Sequence, residues 1–283
     1  MKSIEAPEVR RSAIQIDKRI ALITGAASGI GEAVALELAR RGAAGIALVD
    51  CSNGVSQLAS ALESNHGVKS LSFVGDVTEP AFRSHVFDEI VNQIGIPRIC
   101  VPAAGITRDS LAAKVNKQTG KAELFPLEQF RRVVEVNLIA PVYWALELVG
   151  RVAEDRFAKG LKMWSPHEGV QGTIIFIGSV SSLGNRGQIA YAATKAGLEG
   201  AASTLTKEAI FHGVRCGVIH PGYTDTPMVR ALGEEFIETR ILPFTQLRRL
   251  IRPEEIADAI CFMIGNSAVS GELWADAGWH PSA

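Results

Sequence analysis

The sequence predicts an α/β fold, a single domain in which a doubly wound parallel sheet of about seven strands is flanked by helices. Three observations carry this. Short apolar runs of strand length alternate with longer segments whose apolar residues recur at helical spacing. The runs are nearly continuous in apolar residues, as strands covered on both faces must be. A glycine-rich turn follows the first run and opens the first helical segment, which is where such sheets bind nucleotides.

The elements follow in order. RIALIT (19–24) is the first strand, and 31–42 carries apolar residues at helical spacing. GIALVD (45–50) precedes a helix around 54–64, and SLSFVGDV (70–77) precedes a helix over 81–94. RICVPAAG (98–105), TIIFIGSVSS (173–182), RCGVIHPG (215–222) and GELWADAG (271–278) are further buried strands, with helices over 127–150 and 188–211. There is no internal repeat, low-complexity tract or Pro/Gly/Ser-rich linker, so one domain is expected over 16–283, behind a loose N-terminal tail over 1–15. Two polar segments, 111–128 and 156–172, read as insertions, both expected at the C-terminal side of the sheet.

Composition narrows the function. The chain has 283 residues, is 47% hydrophobic and 21% charged, and carries a net charge of −1. No global field therefore attracts nucleic acid or an acidic membrane. The four cysteines, Cys51, Cys100, Cys216 and Cys261, are scattered, which suits a reducing compartment and argues against a disulfide framework or a zinc site. No residue cluster calls for a metal. The N-terminus lacks the apolar run of a signal peptide, and no stretch has the ~18 uninterrupted apolar residues of a membrane span. A cytoplasmic protein is expected.

The turn after the first strand reads TGAASGIG, with Gly25, Gly29 and Gly31. The first glycine allows the tight turn; the others let backbone approach a pyrophosphate and let helix pack on strand. The helix N-terminus adds free N–H groups and a positive dipole end. Asp50 ends the second strand, nineteen residues after Gly31. A carboxylate there accepts hydrogen bonds from both adenosine ribose hydroxyls and repels a 2′-phosphate. Ser28 is not the Arg or Lys that a phosphate would call for, so the cofactor reads as NAD rather than NADP; a helix N-cap is the other role open to Asp50. Asp76 follows the third strand and could hold an adenine amino group or cap the next helix.

The reactive pair is Tyr191 and Lys195, in QIAYAATKAG (188–197). Four residues apart, they share one helical face. A phenol with a pKa of ~10 is a poor base at neutral pH, and a nearby ammonium favours phenolate. Ala192, Ala193, Ala196 and Gly197 leave room beside the helix for cofactor and substrate. Tyr143 has Glu147 four residues on and Tyr223 has Pro227, so Tyr191 alone has the pattern.

TGAASGIG, Asp50, GDV, AAG, VNL, IGSVSS, YAATK and HPGYTDTPM occur in the order and approximate spacing of the short-chain dehydrogenase/reductase family, which this chain resembles over roughly residues 18–280. The resemblance implies a Rossmann-type single domain with seven parallel strands and an Asn–Ser–Tyr–Lys catalytic set. Tyr191 would be the acid/base, and Lys195 would lower its pKa and hold the nicotinamide ribose. Ser179 would orient the substrate carbonyl, and Asn137 would position a proton-relay water. It also implies that Gly25, Ser28, Gly29, Ile30, Gly31, Asp50, Asp76, Val77, Ala104 and Gly105 line the cofactor, with Pro221, Gly222 and Thr226 at its nicotinamide end. Packing and capping roles are open to Asn137 and Ser179.

The chain departs from the family pattern in three places. PAAG (102–105) stands where NNAG is usual, so the side-chain amides and one N–H are lost. Ser179 precedes Tyr191 by twelve residues, one fewer than usual, with Ser181 as the fallback. Asp276-Ala277-Gly278 replaces the usual DGG.

Within the family, AAGITRDSL (103–111) resembles 3-oxoacyl-carrier-protein reductases, which usually take NADP. Asp50, the insertions and the SGELWADAG ending look more like NAD-dependent type II 3-hydroxyacyl-CoA dehydrogenases. Both act on the β-oxygen of an acyl thioester, the substrate class expected here. Lys114, Lys117, Lys121, Lys159 and Lys162 fall in the insertions and could meet a CoA phosphate or be solvated charges. Steroid or polyol dehydrogenation, an NADP-dependent reductase and a non-catalytic NAD-binding sensor are the alternatives. The resemblance further implies a homo-oligomer, dimer or tetramer, built on the helices at 127–150 and 188–211.

Overall fold

The structure is a computed structural model that describes residues 16–279; the tail expected over 1–15 lies outside the described residues. Strands β1 (Ile20–Thr24), β2 (Gly45–Asp50), β3 (Lys69–Val74) and β4 (Ile99–Pro102) are followed by a small hairpin of β5 (Ala113–Val115) and β6 (Ala122–Leu124). Then come β7 (Gly172–Ile177), β8 (Val214–Pro221) and β9 (Gly271–Ala275). The main sheet has seven strands in the order β3-β2-β1-β4-β7-β8-β9, every pair parallel. The chain builds outward from β1 to β3, returns to lay β4 against β1, and builds the other way. That reversal opens a crevice at the C-terminal ends of β1 and β4.

The apolar strands are divided between two cores by the two-residue period of side-chain direction. Ala21, Ile23, Ile46, Leu48, Ile175 and Ile177 face one core, which is closed by α1 (Gly29–Arg40) and α2 (Gly54–His66). Leu22, Ala47, Val49, Ile174 and Phe176 face the other, where α3 (Pro80–Gln93) packs. A helix running from Leu127 to Ala158 covers the same face. It comprises α4 (Leu127–Val134), a π-helical stretch over Glu135–Ile139 and α5 (Ala140–Ala158). By length and composition this helix could cross a membrane, but its Ala140, Trp144, Leu148 and Val152 are buried against the sheet. Next come α6 (Ile189–Glu208), the short α7 (Pro227–Arg230) and α8 (Glu234–Phe236), and α9 (Pro253–Gly265), which returns to the first core.

Several expectations about segments change: the strands expected over 70–77, 98–105 and 271–278 end early, at Val74, Pro102 and Ala275, and the last is exposed or half-buried rather than buried. The strand expected over 173–182 stops at Ile177 and turns into a short 3₁₀ segment at Val180–Leu183. At the break, a Cβ on Gly178 would sit 2.6 Å from the buried His220 ring. The insertion at 111–128 forms the exposed β5–β6 hairpin. The insertion at 156–172 does not reach the C-terminal side of the sheet. It joins the end of α5 to the start of β7, so the chain is already at the N-terminal edge. There Arg19 donates to the Val170 carbonyl and Gln171 pairs with Gly213. Lys159 and Lys162 are therefore remote from the crevice, and Lys159 pairs with Asp155. A cleft of about 1050 Å³ lies at this edge among Arg19, Arg98 and Arg215 and contains none of the expected site residues.

Arg156 holds the second insertion in place. Its side chain is 1% exposed, and it meets Glu168 at 2.5 Å. Glu168 also accepts from the Ser165 N–H at 2.8 Å. The Arg156 guanidinium, with that N–H, holds the Glu168 carboxyl down at about 2. A depressed carboxyl contributes stability above its unfolded value and loses it as pH falls toward the folded one. Stability is therefore expected to decline in acid between about 4.5 and about 2. Glu168→Gln should lower the melting temperature at neutral pH and flatten that acid slope, as measured by thermal unfolding across pH.

Candidate active site

The crevice is shaped first by backbone contacts that leave no space for a side chain. A Cβ on Gly25, whose φ is +66°, would lie 2.7 Å from the Ala104 backbone. One on Gly31 would lie 2.1 Å from the Gly25 carbonyl oxygen. The β1–α1 turn is thus wedged against the loop after β4, and the N-terminus of α1 faces the gap between them.

That loop carries the PAAG departure, and the structure shows what replaces the missing amides. The Ala103 N–H donates to the Thr24 carbonyl at 3.1 Å, and the Ala104 N–H to the Thr24 hydroxyl at 3.2 Å. Asn137 then clamps the next turn with both ends of its amide. It accepts from the Ile106 N–H at 2.9 Å and donates to the Ile106 carbonyl at 2.8 Å. Pairing of β4 with β7 runs only through Ile99 and Cys100, so it ends before the N–H that Pro102 lacks.

The resulting cavity, of about 370 Å³, is lined by Gly25, Ser28, Gly29, Ile30 and Gly31 at the turn, and by Asp50, Asp76, Val77, Ala104 and Gly105 along the strand ends. Tyr191, Lys195 and Thr226 line it too. Asp50 does not cap α2, whose N-cap is Asn53. Its carboxylate accepts from the Ala27 N–H at 3.1 Å and from the Ser52 N–H at 2.9 Å. Asp76 does not cap α3, which begins after Glu79. It accepts from the Thr78 N–H and hydroxyl at 2.9 and 2.7 Å and from Arg132 at 3.0 Å. Burial pushes the Asp76 carboxyl up, but those three donors outweigh it and leave the group below the usual range.

Tyr191 also lines a second, smaller cavity of about 90 Å³, shared with Asp109, Ser179, Ser181, Tyr223 and Leu232. Tyr191 thus borders both spaces, as does Met228. Ser179 is the serine that bonds to the phenol, and the Ser179 Oγ also accepts from the Ser181 N–H at 3.1 Å. The fallback, Ser181, instead donates to Gln188 at 2.9 Å. Lys195 is 5% exposed. Its ammonium donates to the Ile177 carbonyl at 2.7 Å and lies 5.5 Å from the centre of the Tyr191 ring.

These positions correct the expected electrostatics. Burial pushes the Tyr191 phenol up to about 12; the Ser179 hydrogen bond opposes this, while Asp109 and Tyr223 add to it. Burial pulls Lys195 down to about 8. In the protein alone, desolvation outweighs any help from the ammonium, because Lys195 is directed at a carbonyl and the ring rather than at the hydroxyl.

Three placements add to or depart from expectation. Asn137 is wholly buried with one amide N–H and one lone pair of its oxygen given to Ile106, so it anchors that turn as well as lying beside the site. Pro221 ends β8 and lines neither cavity. Gly222 borders the smaller cavity, where a Cβ would meet the Asp276 carbonyl at 2.6 Å. Sequence reasoning passed over Asp109, Gln188 and Arg132. Asp109 accepts from Gln188 at 3.0 Å, and no local pattern marks either residue. Arg132 is one of many helical arginines until the fold brings it to Asp76.

Comparisons with known proteins agree with this geometry. The family described as short chain dehydrogenase matches residues 19–236. The chain is 33% identical to a 3-oxoacyl-[acyl-carrier-protein] reductase of Pseudomonas aeruginosa, over 90% of this chain and 93% of that protein. It is 30% identical to a (3R)-3-hydroxyacyl-CoA dehydrogenase of Rattus norvegicus, over 89% and 91%. A crystal structure of a short-chain type dehydrogenase/reductase from Mycobacterium marinum superposes with a TM-score of 0.79 at 25% identity, over 94% of this chain and 96% of that one. With a parallel seven-stranded sheet, a glycine-walled crevice at its switch point and a Ser–Tyr–Lys group beside it, the chain belongs to the short-chain dehydrogenase/reductase family of oxidoreductases.

Proposed function

We propose that the protein is an NAD(H)-dependent dehydrogenase that interconverts a secondary alcohol and a ketone, acting on 3-hydroxyacyl and 3-oxoacyl thioesters. The observation that carries the reading is that Tyr191 borders both the glycine-walled crevice and a smaller, partly apolar cavity. A nicotinamide bound in the crevice supplies the hydride acceptor. Asp50, already oriented by Ala27 and Ser52, has lone pairs left for ribose hydroxyls and a charge that opposes a 2′-phosphate. Lys195 can exchange its carbonyl contact for ribose hydroxyls. Tyr191 takes the proton of the substrate hydroxyl, and Ser179 holds the same oxygen as it becomes a carbonyl. Asn137 acts indirectly, by fixing the Ile106 turn.

The thioester class rests on the two relatives, whose names both specify a β-oxygenated acyl chain. Val180, Val229 and Leu232 give the smaller cavity the apolar lining an acyl chain needs. A homo-oligomer completes the proposal. Ile139, Tyr143 and Leu146 leave an apolar strip exposed along the long helix, and burying it against a second copy would remove it from water.

Two variants test the assignment. Tyr191→Phe should lower kcat/KM for 3-hydroxyacyl-CoA oxidation by about 10²–10⁴-fold, the range general acid–base catalysis supplies. NAD affinity, measured by calorimetry, should change little; turnover that survives the change would favour another base. Asp50→Ala should weaken NAD by roughly 10–150-fold, the equivalent of the ~1.5–3 kcal/mol of hydrogen bonds to a charged group, and narrow the preference over NADP. An NADP preference already present in the wild type would instead support the reductase reading.

A further inference from the structure

His220 raises a question that neither crevice answers. It lies on β8 with none of its side chain exposed, and its ring stacks on Trp274 with centroids 4.2 Å apart and planes 13° apart. Its Nδ1 faces the backbone of Ser179, 3.3 Å from the N–H nitrogen and 3.2 Å from the carbonyl oxygen. Its Nε2 is buried and makes no hydrogen bond. That nitrogen points between two carboxylates, 3.3 Å from Glu272 Oε2 and 3.8 Å from Glu199 Oε1. Glu199 Oε1 is itself buried without a hydrogen-bond partner.

We propose that Glu199, His220 and Glu272 form a binding site for a divalent transition metal, with zinc the best match. One imidazole and two carboxylates balance a double positive charge and are the donor types zinc accepts. The three donor atoms lie within 4.8 Å of one another. Bonds of about 2.0–2.2 Å in a tetrahedral arrangement place donors roughly 3.4 Å apart, so a small inward movement of Glu199 closes the set. A pocket of about 30 Å³ beside Glu199 and Glu272 leaves space for a water as fourth ligand. The donors come from α6, β8 and β9, far apart in the chain, which is why no cluster was visible in the sequence.

The metal would act on the catalytic serine through the His220 ring. With Nε2 on the metal, the neutral imidazole carries its proton on Nδ1 and donates to the Ser179 carbonyl. With the proton on Nε2 and no metal, Nδ1 accepts from the Ser179 N–H instead. His220 is thus a positioning residue whose tautomer the metal selects.

The test is zinc titration of the chelator-stripped full chain by calorimetry, with the melting temperature read alongside. Wild-type protein should bind one equivalent and melt higher. Glu199→Gln and Glu272→Gln should each weaken zinc by about 100-fold or more, since loss of a mere outer-shell partner already costs 10–100-fold. NAD binding shows that each variant is folded. Zinc binding of equal strength in either variant, or no stoichiometric uptake by the wild type, would overturn the assignment.

Discussion

The ammonium of Lys195 is 5% exposed, and its hydrogen bond goes to a neutral carbonyl at the end of β7. Among the described residues no carboxylate lies within ion-pair distance of it. A buried cation in that position is costly, and the cost shows as a pKa pulled down to about 8. The same desolvation raises Tyr191 to about 12. The phenol is therefore held neutral, the wrong charge state for general-base work, in the protein alone. In the proposed reading, the cationic nicotinamide and its ribose supply the missing electrostatics, so chemistry is coupled to cofactor occupancy.

Everything around the pair serves to keep that crevice open and rigid. Gly25 and Gly31 bring turn, loop and helix into backbone contact, and Thr24 and Asn137 restrain the loop that PAAG would otherwise leave loose. The π-helical stretch over Glu135–Ile139 contains Asn137, consistent with the tendency of such bulges to mark functional positions. Ser179 is held from behind by His220 and in front by Ser181. The groups proposed to react thus sit at strand ends and on helices rather than on free loops, as precise placement of reacting atoms requires.

Much of this was legible in the sequence because it rests on local pattern. Apolar runs and helical spacing marked the seven strands of the main sheet, and the glycine turn, Asp50 and the Tyr–Lys pair fell at the C-terminal ends where the sheet puts them. What was not legible depends on distance in the chain. The location of 156–172 turns on which edge of the sheet α5 returns to. The pKa of Tyr191 turns on burial, which spacing does not report. That the Asn137 amide clamps Ile106 depends on a contact between residues 31 apart in the chain. Asp109 and His220 gain meaning only from neighbours that no motif places beside them.

The most direct measurement is a spectrophotometric titration of Tyr191, comparing wild type with Tyr191→Phe, without and with saturating NAD. An ionisation near 12 is expected in the protein alone, with a clear fall once NAD is bound. An ionisation that is already low without cofactor, or that NAD leaves unmoved, would contradict it.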